Sequence, residues 1–266
     1  MVEEAVDAIA VDLAGDPQFD PSLRMPNPQE ITKICSSLVS LVTRPVNGLE
    51  EGQEKTVMEL QLAHFSVKEY LVSEQVQETF REGMTETNAR GSIARVCLSY
   101  LSHLDNNRSV VETKTEFPLA RYSAQYWMVH ARPAETENVQ ESILKFFLQQ
   151  GQAYAVWGKL FDPDRPRDGE PRRDRNMATP LYYASLAGLE HTVRSLLEKE
   201  QDVNAQGGRF SNALQAASYQ GHEKVVQQLL DIGAEVNAQG GGYGNALQAA
   251  SYQGHEKVVQ IGRAHV

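Results

Sequence analysis

Asn212 to Gln227 reads NALQAASYQGHEKVVQ, and Asn245 to Gln260 reads NALQAASYQGHEKVVQ again, at an offset of 33 residues. Thirty-three residues before Asn212 stands Thr179, which opens the related stretch TPLYYASLAGLEHTVRSLL. Gly188, Gly221 and Gly254 then fall in register, as do Val203-Asn204-Ala205 and Val236-Asn237-Ala238. A fixed period of this length signals stacked units, each burying its apolar face only against its neighbours.

The chemistry inside one unit predicts two short helices and a turn. Thr179, Asn212 and Asn245 are helix-capping residue types placed just before a helix. Pro180 sits at a first helical position, where its missing N–H costs nothing. Ala216, Ala217, Ala249 and Ala250 are small enough for first helices to stack closely. Gly221 suits a left-handed helix end. Val225, Val226, Leu229 and Leu230 form an apolar stripe on the second helix. Gly233 closes that helix, and Val236 starts an extended arm.

Two helices and a turn repeating every 33 residues resemble the ankyrin family, over about residues 176–260. The sequence departs from that family's T-P-L-H motif. It has Thr-Pro-Leu-Tyr in the first unit and Asn-Ala-Leu-Gln in the next two. The hydrogen bonds a histidine would make at Tyr182, Gln215 and Gln248 must then be replaced. Glu200 stands where Gly233 stands one unit later, so the first unit's second helix is expected to end less cleanly.

The third unit breaks after Gln260. In place of counterparts to Gln228-Leu229-Leu230 the chain reads Ile261-Gly262-Arg263-Ala264-His265-Val266. This hexapeptide matches the translation of a common sequencing-adapter end, with a stop codon after it. On that reading residues 261–266 are a foreign tail left out of the fold reading, the natural protein continues with further repeats, and the second unit's apolar stripe is only partly covered.

Ahead of the repeat, Asn27-Pro28-Gln29-Glu30 reads as a helix start. Ile31, Ile34, Cys35, Leu38 and Val42 follow at helical spacing. Arg44–Lys55 is polar, with Pro45 and an Asn47-Gly48 turn. Thr56–Ala63 alternates, with Met58, Leu60 and Leu62 facing one way, as on a half-buried strand. Ser66 and Glu69 read as a capping box, with Phe65 and Tyr70 at hydrophobic-staple positions. This compact order suits a winged-helix-like module. Later helical stretches carry Tyr100 and Leu101, then Tyr122, Tyr126 and Trp127, then Phe147 and Leu148. Asp162–Asn176, rich in Pro, Arg and Asp, reads as a linker. The fold class expected is mainly α: a small winged-helix-like module and helical connector followed by an ankyrin-repeat solenoid. The boundaries are 1–26 for the end of an upstream helical region and 27–130 for the winged-helix-like and helical module. A helical connector and linker at 131–175 and repeats at 176–260 follow, with 261–266 foreign.

NPQEITKICSSLV, LAHFSVKEYL, ARYSAQYWMVHAR and LYYASLAGL together resemble segments of fungal NACHT–ankyrin proteins, which are similar to NOD-like receptors. The resemblance covers almost the whole chain. It implies a region that follows a nucleotide-binding core, with the repeats sensing a protein partner and an upstream NACHT-type domain acting as switch. Related segments also accompany hydrolase or lipase domains, so an ankyrin-bearing regulatory region of such a protein is the alternative. A P-loop upstream identifies the first context, a serine-hydrolase elbow the second.

The chemistry an enzyme needs is not legible in the chain itself. Gly158-Lys159 is followed by Leu160 and lacks the other residues of a phosphate-cradling loop, so no ATP binding is expected. His222-Glu223 begins like a zinc-protease motif, but the second histidine's position is Val226. The repeat explains both His222 and His255. Cys35 lies on an apolar helical face and His64 precedes the capping box, so core packing is favoured over a thiol site. No catalytic residues, metal ligands or cofactors are assigned. The net charge of −10 argues against nucleic acid and against anionic lipid, and the charges of the 162–175 run balance. Hydrophobic residues make up 41%, enough for a core. Two cysteines without a C-x-x-C, and no basic leader, suit a cytoplasmic setting.

Ankyrin stacks bind partners with hairpin tips and the adjacent inner helices. The tips here are Gln206–Ser211 and Gln239–Gly244. Arg209, Phe210 and Tyr243 are their large side chains and the first candidates for partner contact, with Phe210 and Tyr243 expected to be exposed. Tyr219 and Tyr252 are weaker candidates.

Overall fold

The computed structural model describes residues 1–34, 37–45, 56–148, 152–165 and 177–265. The readings on Cys35, on the Asn47-Gly48 turn, on most of the 162–176 linker and on Val266 lie outside the described residues.

The N-terminal module opens with α1 (Val2–Ile9) and α2 (Ile31–Ile34), then strands β1 (Val39–Pro45) and β2 (Thr56–Leu62). The strands pair antiparallel, with Leu41 opposite Leu60 and Thr43 opposite Met58. Helical spacing would place Val42 on a helix continuing from Ile34, but it lies in β1. Val39, Val42 and Thr43 are β-branched, and a partner strand satisfies their backbone while the pleat accepts their shape. Met58 and Leu60 do share a face, packed with Leu41 against Val2, Val6 and Ile31 in a small core of their own. Helix α3 (Phe65–Leu71) follows β2 almost directly. Its cap is His64, whose Nδ1 accepts the Ser66 N–H at 3.2 Å. Phe65 and Tyr70 are exposed rather than stapled.

The connector comprises α4 (Glu78–Met84), α5 (Glu86–His103), α6 (Val110–Glu116), α7 (Ala120–Ala131), α8 (Glu137–Leu148) and α9 (Gln152–Leu160). Trp127 on α7 lies edge-on to Phe147 and to Trp157, each at 5.6 Å between ring centroids, so it is a core residue. Cys97 is buried on α5, and burial pushes its thiol up to about 12, which leaves it unreactive. Asp7 of α1 is 2% exposed. Its carboxylate accepts Arg24 Nε at 2.7 Å and the Tyr100 hydroxyl. The Arg24 guanidinium lies 5.5 Å from the Phe19 ring centroid and 5.4 Å from that of Phe117. Asp7 and Arg24 thus fasten the N-terminal helix to the connector through the Tyr100 hydroxyl and the Glu116 carbonyl.

The repeats comprise α10 (Pro180–Ala187) and α11 (Glu190–Glu198), α12 (Ala213–Gln220) and α13 (Glu223–Asp231), and α14 (Ala246–Gln253) and α15 (Glu256–Arg263). The first helices α10, α12 and α14 stack in one layer, and α11, α13 and α15 in a second. Thr179, Asn212 and Asn245 each accept the N–H three residues on, as their capping chemistry requires. Gly188, Gly221 and Gly254 end the first helices with φ of 71°, 76° and 77°. Glu200 is forced to a φ of 56°, where Gly233 stands at 92° one unit later. The uneven helix end expected at Glu200 is therefore backbone strain.

One expectation at the C-terminal end is corrected. Ile261, Gly262 and Arg263 continue α15. Val225, Val226, Leu229 and Leu230 are all buried, because α15 covers α13 and Val258 and Gly262 sit within that contact.

The connector joins the stack as a cap. Helix α8 packs on α11, in the second layer, and Trp157 of α9 lies 5.1 Å from Tyr183 of α10, in the first. The pair α8–α9 therefore extends both layers, but in reversed chain order. One apolar core runs from Ala10 to Val258 through connector and repeats.

Candidate partner-binding surface

At the position of the missing motif histidine the three units differ. In the second unit Gln215 Nε2 donates to the carbonyls of Ala238 at 3.1 Å and Gly244 at 3.0 Å. It thereby ties α12 to the following hairpin tip. In the first unit the Tyr182 hydroxyl donates to Asp164 Oδ1 and accepts the Phe210 N–H at 3.2 Å. Asp164 is 5% exposed, and its Oδ2 accepts the Arg209 N–H at 3.0 Å. Burial, then the Asp164 charge and hydrogen bond, hold the Tyr182 phenol well above its ordinary range. It stays a neutral donor. In the third unit Gln248 Oε1 instead accepts the Asn245 N–H at 3.2 Å, completing a capping box.

The tip geometry sets the position of the candidate residues. Phe210 is 3% exposed, which corrects the expectation of a free ring at the tip. The Tyr182 hydrogen bond to its N–H draws the tip down, and Tyr219 covers its ring at 4.4 Å. Arg209 donates through Nη1 to the Asp164 carbonyl at 3.3 Å and lies 5.6 Å from the Phe210 centroid. Tyr243 is half-buried, 4.9 Å from Tyr219 and 6.0 Å from Phe210, nearly parallel to the latter at 19°. Tyr252 lies 5.0 Å from Tyr243 and is 71% exposed.

Phe210, Tyr219, Tyr243 and Tyr252 thus form one aromatic ladder, alternating hairpin tip and first helix, with Arg209 at its buried end. All five residues are nameable as candidates from the sequence, but their mutual contact is not. The hydrogen bond between Tyr219 and Tyr243 raises the Tyr243 phenol above its ordinary value, with burial second and the Arg209 charge opposing. The ladder offers π faces and phenol hydroxyls on a preformed, low-entropy surface.

His222 Nε2 lies 3.1 Å from the Leu186 carbonyl, and His255 Nε2 lies 3.0 Å from the Tyr219 carbonyl. Each histidine bridges one unit to the one before it, which is a structural task. Burial and the nearby Arg132 charge push His222 down to about 4. Among the described residues no group of three His, Cys, Asp or Glu side chains could hold a metal ion. None of the described helices is long and apolar enough to cross a membrane.

Residues missed from sequence act at the junction. Asp164 fell inside a run read as solvated linker. Glu135 and Gln140 of the connector bind α11. The Glu135 carboxylate takes the His191 and Thr192 N–H groups, and Gln140 Nε2 donates to the His191 carbonyl at 2.9 Å and Ser195 Oγ at 2.9 Å. No local motif announces either role.

Residues 134–240 match the family model for ankyrin repeats, in three copies. The match starts inside the stretch read from sequence as connector. The chain is also 38% identical over 234 residues to the azaphilone pigments biosynthesis cluster protein L of Monascus ruber. That alignment covers 81% of this chain and 48% of the relative, so the chain spans about half the relative's length. Ankyrin repeats are a protein-interaction scaffold without catalytic machinery of their own. The chain carries an ankyrin-repeat domain, built on a helical connector and a small β-hairpin module.

Proposed function

We propose that this chain is the protein-interaction and regulatory region of a larger protein, and that it docks a protein partner on the Phe210–Tyr219–Tyr243–Tyr252 ladder. The observation that carries this reading is the row of ring contacts itself, Phe210 to Tyr219 at 4.4 Å, Tyr219 to Tyr243 at 4.9 Å and Tyr243 to Tyr252 at 5.0 Å. An aromatic held in place by three others loses little entropy when a partner covers it. Phe210 and Arg209 set the ladder's position, while Tyr243 and Tyr252 present the contact surface.

The activity regulated lies outside this chain. Of two contexts, a NACHT-type, NOD-like receptor or a hydrolase- or lipase-linked protein, the second is preferred. The relative's name places that protein in a biosynthetic cluster, which sits better with an enzyme-linked region than with a receptor. The test of the docking reading is selection of peptides from a random display library against the whole chain. Ladder binders should lose at least tenfold in affinity with Tyr243→Ala plus Tyr252→Ala. Binders indifferent to both changes would remove the ladder from the account.

A further inference from the structure

A groove of about 700 Å³ lies where the connector meets the first two repeats. One wall is α7 and its end, with Tyr126, Val129 and Arg132. The other is formed by Phe161, Leu186 and His222. Val129 is 57% exposed and Tyr126 also faces solvent, on a helix whose opposite face buries Trp127 completely. Leu186 occupies in the first repeat the position that Tyr219 and Tyr252 hold in the next two, 33 and 66 residues on. The groove therefore continues the row of positions that carries the ladder's helical half, on a part of the molecule the repeats alone do not form.

Charge in the groove is uneven. Arg90 is paired with Glu86 at 2.8 Å. Arg132 is exposed and makes no ion pair among the described residues, and His222 beside it is neutral near pH 7. A partner that covered Val129 and Tyr126 would also take the Arg132 guanidinium out of water. Removing an unpaired charge from water is unfavourable unless an anion meets it. Guanidinium is suited to a carboxylate in bidentate geometry.

We propose that this junction groove is a second docking site. Its occupant is an extended segment of a partner protein, with bulky apolar side chains lying over Val129 and Tyr126 and an Asp or Glu side chain paired with Arg132. The site does not rest on the ladder, and the two are separable by variant. The experiment uses the whole chain carrying Tyr243→Ala and Tyr252→Ala as bait for a random-peptide display library, so that ladder binders are not selected. The expected result is a consensus of Asp or Glu within about three positions of a large apolar residue. Affinity should weaken at least tenfold in Arg132→Gln and, separately, in Val129→Glu, and should fall as salt rises. Blocking the peptide's C-terminal carboxylate should leave binding unchanged. The proposal is overturned by a consensus without acidic residues, by binders that ignore both groove variants, or by the absence of binders. It is also overturned if the chain self-associates in sedimentation and Val129→Glu abolishes that association, which would make a second copy the occupant. Unchanged thermal melting of Val129→Glu, an exposed position, shows that the fold is retained in the comparison.

Discussion

The Glu135 carboxylate accepts the Thr192 backbone N–H at 2.6 Å, so a residue of the connector caps a helix of the first repeat. Helix α11 begins after Leu189, which has no side chain able to cap it. Glu135 accepts the His191 N–H as well, at 3.0 Å, and places a negative charge at the positive end of the helix. Glu135→Ala should therefore lower stability by about 1–2 kcal/mol, and Glu135→Gln by less. Urea unfolding of the three proteins measures this. Equal midpoints would mean that the connector does not support the stack.

Glu200 offers a change in the opposite direction. Its φ of 56° is strained for a side chain, and the corresponding Gly233 shows what the position accommodates. Glu200→Gly should raise stability by about 1 kcal/mol, after the entropy that glycine adds to the unfolded chain. A thermal melt that moves down instead of up would show that the turn relaxes in solution.

The Asp7–Arg24 pair predicts a large loss. Asp7 is almost fully buried, and Arg24→Ala leaves it with the Tyr100 hydroxyl but no cation. Breaking one side of such a pair costs about 3–5 kcal/mol. Asp7→Asn with Arg24→Ala should recover part of that, since no charge is then stranded. Chemical unfolding of the single and double variants gives the answer, and a loss below the error of the fit would mean the pair is solvated.

Acid should weaken the repeat stack. His222 has a folded value of about 4 against an ordinary 6.5. Between those values the unfolded chain binds the proton more readily, so the contribution of neutral His222 is fully present above pH 6.5. It is lost progressively as pH falls toward 4 and changes no further below it. His103 and His130 are also lowered by burial and add to the same trend. Melting temperatures of wild type and His222→Gln across pH 4–7.5 isolate the residue, because the variant's decline should be shallower. Parallel curves would show that His222 is solvated.

The sequence made the repeat legible because a period of 33 fixes many residues at once. Caps, glycine helix ends and the Val-Val, Leu-Leu stripe all fall where the register puts them. β2 was legible from alternation, whereas β1 was not. Val39 to Thr43 satisfies a helical spacing as well as a strand, and only the partner strand decides. The ladder's members were nameable because they are large residues at repeat positions. Their contacts were not, since the tip folds down through Tyr182 and Asp164, residues 18 apart across a Pro- and Arg-rich run. The identical segments at 212–227 and 245–260 show the same limit. Tyr219 is half-buried under Phe210 and Tyr243, whereas Tyr252 meets only the Tyr243 ring among the described residues and is exposed.

The role of the ladder is tested most directly by ring NMR of the chain with ¹³C-labelled tyrosine, titrated with a ladder-selected peptide. The Tyr252 and Tyr243 ring signals should shift together and saturate at one affinity, with Tyr219 following more weakly and the buried Tyr100 unmoved. Saturable binding that leaves the Tyr252 and Tyr243 rings unshifted would contradict that role.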